Sequence, residues 1–151
     1  MDGPLDRHRD EPRGLARRGW LRPSVVREHA RGIVERFGVR APSPTTPMRT
    51  LSGGNQQKAI IGRELTHDAP VLLVEQPTRG VDIGAVVNIH TELVAYRDAG
   101  HAVLLVSAEL SEILGLSDRV LVMYEGRVVA ELPRDRADAT TIGLAMAGVP
   151  L

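Results

Sequence analysis

The chain has 151 residues, 42% of them apolar, and its 19 basic residues are balanced by 19 acidic ones. This suits one domain with a real core or a piece of a larger one, argues against a disordered chain, and gives no electrostatic reason for bulk binding to nucleic acid or anionic lipid. Cysteine is absent, which excludes disulfides and thiolate metal sites, and no apolar run approaches the ~20 residues of a membrane-spanning helix.

The start, Met1–Asp10, is charged and lacks the apolar region of a secretory signal, so the expected place is the cytoplasm. Residues 1–22 mix Gly, Pro, Arg and Asp without a period and read as loop or poorly ordered chain. Ser24 reads as an N-cap, followed by a helical stripe of Val25, Val26, His29, Ile33, Val34 and Phe37, with Gly38 as the stop. Ala41–Pro47 is a Pro-rich linker. Ser52 reads as a second N-cap, with a helix from about Gly54 to Leu65. Val71–Val74 is an apolar run of a buried strand's length. Asp82 caps a third helix, with Ala85, Val86, Ile89, Leu93 and Val94 on one face and Gly100 past its end. Ala102–Val106 is another buried strand, Glu109–Leu114 a short helix, and Arg119–Tyr124 and Arg127–Leu132 two strands around the hairpin turn Glu125-Gly126. A last helix runs from about Thr140 to Ala147. The order from residue 70 predicts an α/β arrangement with a parallel sheet. The organisation expected is therefore loop over 1–22, a helical lobe over 23–69 and an incomplete α/β core over 70–151.

The stretch Leu51-Ser52-Gly53-Gly54-Asn55-Gln56-Gln57-Lys58 carries the chemistry. A Ser and two glycines at a helix start leave backbone N–H groups accessible to an anion, and the Ser hydroxyl adds a further donor. A Ser-capped helix alone is common; the full octapeptide is far more specific. It resembles the signature motif of ABC transporter ATPases, in the form found in simple-sugar and nucleoside importers. Arg63-Glu64-Leu65, Gln76–Ala85, Val103–Leu110 and Ser117–Arg127 follow in the family's order and spacing, and Asp6-Arg7-His8-Arg9 resembles the stretch these importers carry near their Q-loop. The likeness is greatest to the second nucleotide-binding half of importers with two halves in one polypeptide. The Glu-Gln-Pro-Thr form at 75–78 resembles the purine-nucleoside branch.

The resemblance implies a partial P-loop NTPase domain of the ABC type: the helical subdomain plus the later strands and helices of the core. It implies ATP with Mg²⁺ shared with a partner nucleotide-binding half, which Ser52, Gly53, Gly54, Asn55 and Gln56 would face, with Asp82 as the aspartate of the interface between halves. It also implies transmembrane permease subunits as partners, a substrate-binding protein indirectly, and a place on the inner face of the plasma membrane.

Three departures follow. The family's Mg²⁺ carboxylate and catalytic Glu positions hold Glu75 and Gln76, and its switch His position holds Ala108. Glu75 is one methylene longer than the Asp it replaces, Gln76 cannot take a proton from water, and Ala108 offers no polar group. No metal ligand set is therefore expected, and no competent catalytic residue. The phosphate-binding loop G-x-x-x-x-G-K-[ST] is also missing, since Lys58 is the only Lys and follows Gln57. The expectation is an energy-coupling component of an importer that is inactive alone. The alternative is a truncated or degenerate, non-enzymatic fragment that at most binds a partner half. His8, His29, His67, His90 and His101 show no metal spacing, and the Arg-rich stretch Arg7–Arg40 reads as a partner-facing surface rather than a nucleic-acid site.

Overall fold

A computed structural model describes residues 14–17, 20–67 and 69–150. Within the stretch expected as loop, Ala16–Arg17 (β1) and Trp20–Leu21 (β2) pair antiparallel. Asp6–Arg9 lie outside the described residues.

Helix α1 spans Pro23–Arg36. It begins one residue before the expected cap, because Pro23 sits in the first turn, where its fixed φ suits the helix and its missing N–H costs nothing. Arg22 takes the N-cap position with no side-chain bond, and Ser24 lies inside the first turn. The helix closes as expected at Gly38, whose φ of 58° is the left-handed conformation glycine adopts freely. Val39 N–H then donates to the Val34 carbonyl at 3.0 Å and Gly38 N–H to that of Glu35 at 3.4 Å, which satisfies carbonyls of the last turn.

Helix α2 spans Gly53–Leu65 and α3 spans Ile83–Asp98. Strand β3 (Val71–Glu75) neighbours β4 (Ala102–Val106). Ala102 N–H donates to the Pro70 carbonyl and Gln76 N–H to that of Val106, so partners ascend together, the sense of a parallel pair. Helix α4 is Leu110–Leu116, strands β5 and β6 are Arg119–Tyr124 and Arg127–Pro133, and α5 is Ala139–Met146.

The chain forms two compact units. One comprises the described residues up to Leu72 with Pro77–Val103; the other comprises Leu73–Gln76 and the described residues from Leu104 on. In the first, α1 meets α2 at Gly62. A Cβ there would lie 2.6 Å from the Phe37 ring and 2.8 Å from Ile33 Cγ2, so only glycine permits this approach. Phe37 is 1% exposed. Of the stripe expected on α3, Ala85, Ile89 and Leu93 are buried, joined by Tyr96, whose hydroxyl donates to the Ala69 carbonyl at 2.6 Å.

The second unit is built on the β5–β6 hairpin. Its turn is the expected Glu125-Gly126, with φ of 46° and 76°, the positive pair a two-residue hairpin turn needs. The register shifts by one residue between Val122, opposite Ala130, and Met123, opposite Val128. Val120, Val122, Ala137, Ile142 and Ala145 form its core.

Strand β3 departs from expectation. Leu72 and Val74 are buried, whereas Val71 and Leu73 are 62% and 67% exposed. The apolar run promised burial on both faces, but a strand has two faces and only one is packed here.

Helix α5 begins at Ala139, one residue before the expected Thr140, with Asp138 as its N-cap. Asp138 accepts the N–H groups of Thr140 and Thr141 at 2.9 Å each, and the Thr141 hydroxyl at 2.6 Å. These bonds, the Thr141 hydroxyl foremost, hold its carboxyl below the ordinary aspartate value. The folded form binds the proton less readily than the unfolded form, so this stabilisation is present above the unfolded value of about 3.9 and is lost as pH falls through the lowered folded value. Urea midpoints taken from about pH 6 downward should therefore fall through this window. Asp138→Asn, which keeps a capping oxygen without the charge, should reduce the acid slope; an unchanged slope would refute the assignment.

Candidate functional site

The signature octapeptide lies in the first unit, at the start of α2. Ser52 is the N-cap residue, extended at φ −62° and ψ 155°, but its side chain accepts no backbone N–H of the first turn. Its Oγ instead accepts from Asn55 Nδ2 at 2.8 Å, and Asn55 Oδ1 accepts the Arg40 N–H at 2.8 Å. The N–H groups of the first turn are thus without a side-chain cap, and their partial positive charge faces outward at a helix N-terminus. Gln56 turns its amide back onto the Leu51 carbonyl at 2.8 Å, and Gln57 donates to the Pro77 carbonyl at 3.2 Å.

The two glycines have different roles. A Cβ on Gly53 would meet nothing within 4 Å, so this side of the helix start is open. A Cβ on Gly54 would lie 3.4 Å from the Gly80 carbonyl and from Val81 Cα, so Gly54 serves close packing against the 80–81 turn. Gly80 makes that turn with a φ of 74°. Lys58 lies one helical turn beyond Gly54 and is only 8% exposed. Its Nζ donates to the Gly38 carbonyl at 3.3 Å and lies 4.0 Å from Asp82 Oδ2.

Asp82 caps α3 as expected, with Oδ1 accepting the Ala85 N–H at 2.9 Å. That bond is the main reason its carboxyl sits below the ordinary aspartate value, and the positive charges of Lys58 and Arg40 act in the same direction. The octapeptide and Asp82 are therefore one assembly. Missing from the sequence reading were Lys58 as a buried strut, Arg40 as an anchor through its backbone, and the loop 77–81. The position of Lys58, four residues after Gly54, was the available signal.

Glu75, Gln76 and Ala108 belong to the second unit. Glu75 ends β3 and is exposed. Gln76 follows in the left-handed conformation, φ 48°, with its N–H on the Val106 carbonyl at 2.8 Å. A non-glycine residue held there is a local strain of the kind that clusters at functional sites. Ala108 is exposed in the turn after β4, where Ser107 Oγ accepts the Glu109 N–H at 3.0 Å. The ends of the two strands thus bring these residues to one edge, the carboxyl edge at which parallel sheets bind ligands. No group of three or more His, Cys, Asp or Glu able to hold a metal occurs among the described residues, and no described helix is long and apolar enough to cross a membrane.

No protein-family model matches the chain. Curated relatives do. The guanosine import ATP-binding protein NupO of Bacillus subtilis (strain 168) is 47% identical over 130 residues, covering 86% of this chain and 26% of its own length. The nucleoside import ATP-binding protein NupA of Lactococcus lactis subsp. cremoris (strain MG1363) is 41% identical over 134 residues, covering 89% of this chain and 26% of its own length. The ribose import ATP-binding protein RbsA 1 of Rubrobacter xylanophilus is 48% identical over 120 residues, 79% of this chain. The chain thus spans about a quarter of the length of the curated relatives it matches. Among solved structures, an ATP-binding cassette dimer in a post-hydrolysis state with ADP and Pi superposes with a TM-score of 0.68 at 23% identity, over 78% of this chain and 51% of that one. An ATP-binding subunit of an ABC transporter superposes with a TM-score of 0.65 at 18% identity, over 81% of this chain and 62% of that one. The fold is that of part of an ABC-type P-loop NTPase domain, and the chain belongs to the family of ATP-binding proteins of sugar and nucleoside import systems.

Proposed function

We propose that this chain is part of the energy-coupling component of an ABC importer for simple sugars or nucleosides, and that it contributes the signature helix to a composite ATP site. The observation that carries the reading is the start of α2, where Ser52 and the open side of Gly53 sit at an uncapped helix N-terminus. Ser52, Gly53, Gly54, Asn55 and Gln56 face ATP with Mg²⁺ held by a partner nucleotide-binding half, and Asp82 lies at the interface with that half. The transmembrane permease subunits, and through them a substrate-binding protein, complete the assembly on the inner face of the plasma membrane. Relatives named for guanosine, nucleoside and ribose import support this range of substrates.

The test is association of this chain with a nucleotide-binding half that carries G-x-x-x-x-G-K-[ST]. ATP with Mg²⁺ should strengthen that association; equal affinity with and without nucleotide would refute the reading.

A second reading, binding to a partner half without support of turnover, is favoured by Gln76 and Ala108. Neither side chain can accept a proton from an attacking water. ATP-dependent association without faster hydrolysis would select it. Gln76→Glu in this chain alone is expected to give no ATP turnover, because these 151 residues contain no loop to hold the β-phosphate. Phosphate release by that single variant, above a heat-inactivated sample, would contradict this.

A further inference from the structure

The hydrogen-bond directions around Asn55 carry an inference that rests on the composite-site reading. Arg40 N–H can only donate, so the Asn55 atom that receives it, at 2.8 Å, is the amide oxygen. That leaves Nδ2 facing Ser52 Oγ at 2.8 Å, and an amide nitrogen can only donate. The Ser52 oxygen is therefore the acceptor of this bond, and its own proton is turned away from Asn55 toward another acceptor. No hydrogen bond among the described residues takes up that proton, and Ser52 is exposed, so the hydroxyl is open to an acceptor from outside the helix.

We infer that Asn55 is a positioning residue: anchored by the backbone of Arg40, it holds the Ser52 hydroxyl as a donor toward a phosphate oxygen of the partner-held nucleotide. A hydroxyl aimed in advance loses less freedom on binding than one that must choose among rotamers. The anchor comes from the turn after α1, whose Gly38 carbonyl also receives Lys58, so the end of α1 fixes the signature helix at two points.

The test is a double-mutant cycle on ATP-dependent association of this chain with a half that carries the phosphate-binding loop. Ser52→Ala is expected to weaken association about tenfold or more, as loss of a bond to a charged group does. Asn55→Ala should weaken it about threefold or more, yet less than about twofold when Ser52 is already Ala, because nothing is then left to position. Asn55→Asp keeps an oxygen for Arg40 but accepts the Ser52 proton, turning the donor inward, and should be worse than Asn55→Ala. If Asn55→Ala does not fold, the same cycle is run with Asn55→Asp at high salt, where repulsion from the added charge is screened.

Additive losses would show that Asn55 does not act through Ser52 and would overturn the inference. So would Asn55 variants that bind like the parent while Ser52→Ala weakens binding; the composite-site reading would then stand. If Ser52→Ala binds like the parent, both fall.

Discussion

Phe37→Ala is expected to destabilise the chain by about 3–5 kcal/mol, the usual cost of emptying a buried phenylalanine site. Phe37 is 1% exposed and its ring lies under Gly62, where the backbones of α1 and α2 come together. Typical stabilities are only about 5–15 kcal/mol, so this one change would remove a large share of the total. A urea midpoint followed by circular dichroism would show it, and a shift worth less than about 1 kcal/mol would mean that the ring does not hold the helices together. Gly62→Ala sharpens the test. Alanine gains about 1 kcal/mol over glycine in a helix interior, but its Cβ would lie 2.6 Å from a ring that cannot leave, and overpacking costs about 1–3 kcal/mol. The balance favours destabilisation in the parent. With Phe37 replaced by Ala, the same substitution should cost less than in the parent, because the ring clash is gone and only the contact with Ile33 Cγ2, at 2.8 Å, remains to be relieved. Stabilisation in both backgrounds would place α1 farther from α2 than described here.

Ser52→Arg should have the largest functional effect. It removes the hydroxyl donor, worth about 1.5–3 kcal/mol when the acceptor is charged, or roughly 10- to 100-fold in affinity. It also puts a long side chain beside the open face of Gly53. ATP-dependent association with a partner half should weaken by more than about 100-fold, while the urea midpoint should stay within about 0.5 kcal/mol of the parent, because Ser52 is exposed and makes no cap bond. Retained ATP-dependent association would remove Ser52 from the site. Loss of the midpoint as well would make the effect one of folding rather than recognition.

Several features were legible because their signals are local. Gly38 ends α1, Asp82 caps α3, and Glu125-Gly126 makes the hairpin turn; each depends on the φ or the short side chain of the residue itself. The N-cap of α1 falls at Arg22, two residues before the expected Ser24, because Pro23 competes with Ser24 for the same turn, and Asp138 was overlooked behind the two threonines it caps. The octapeptide at 51–58 and the residue types at 75, 76 and 108 were plain in the sequence, as was the family they resemble.

What the sequence determined by itself was the main helices and strands from α1 onward, the signature residues and the lack of a G-x-x-x-x-G-K-[ST] segment in these 151 residues, since these are properties of neighbouring residues; the β1–β2 pair in the stretch expected as loop was not among them. What only the tertiary structure decided was their partners. Asn55 meets the Arg40 backbone 15 residues away, and Lys58 meets the Gly38 carbonyl 20 residues away. The same holds for the division of labour between Gly53 and Gly54, the need for glycine at 62, and the exposure of one face of β3. A hydrogen bond or a close packing contact belongs to two segments at once, and no periodicity within either one states which surface the other will bring.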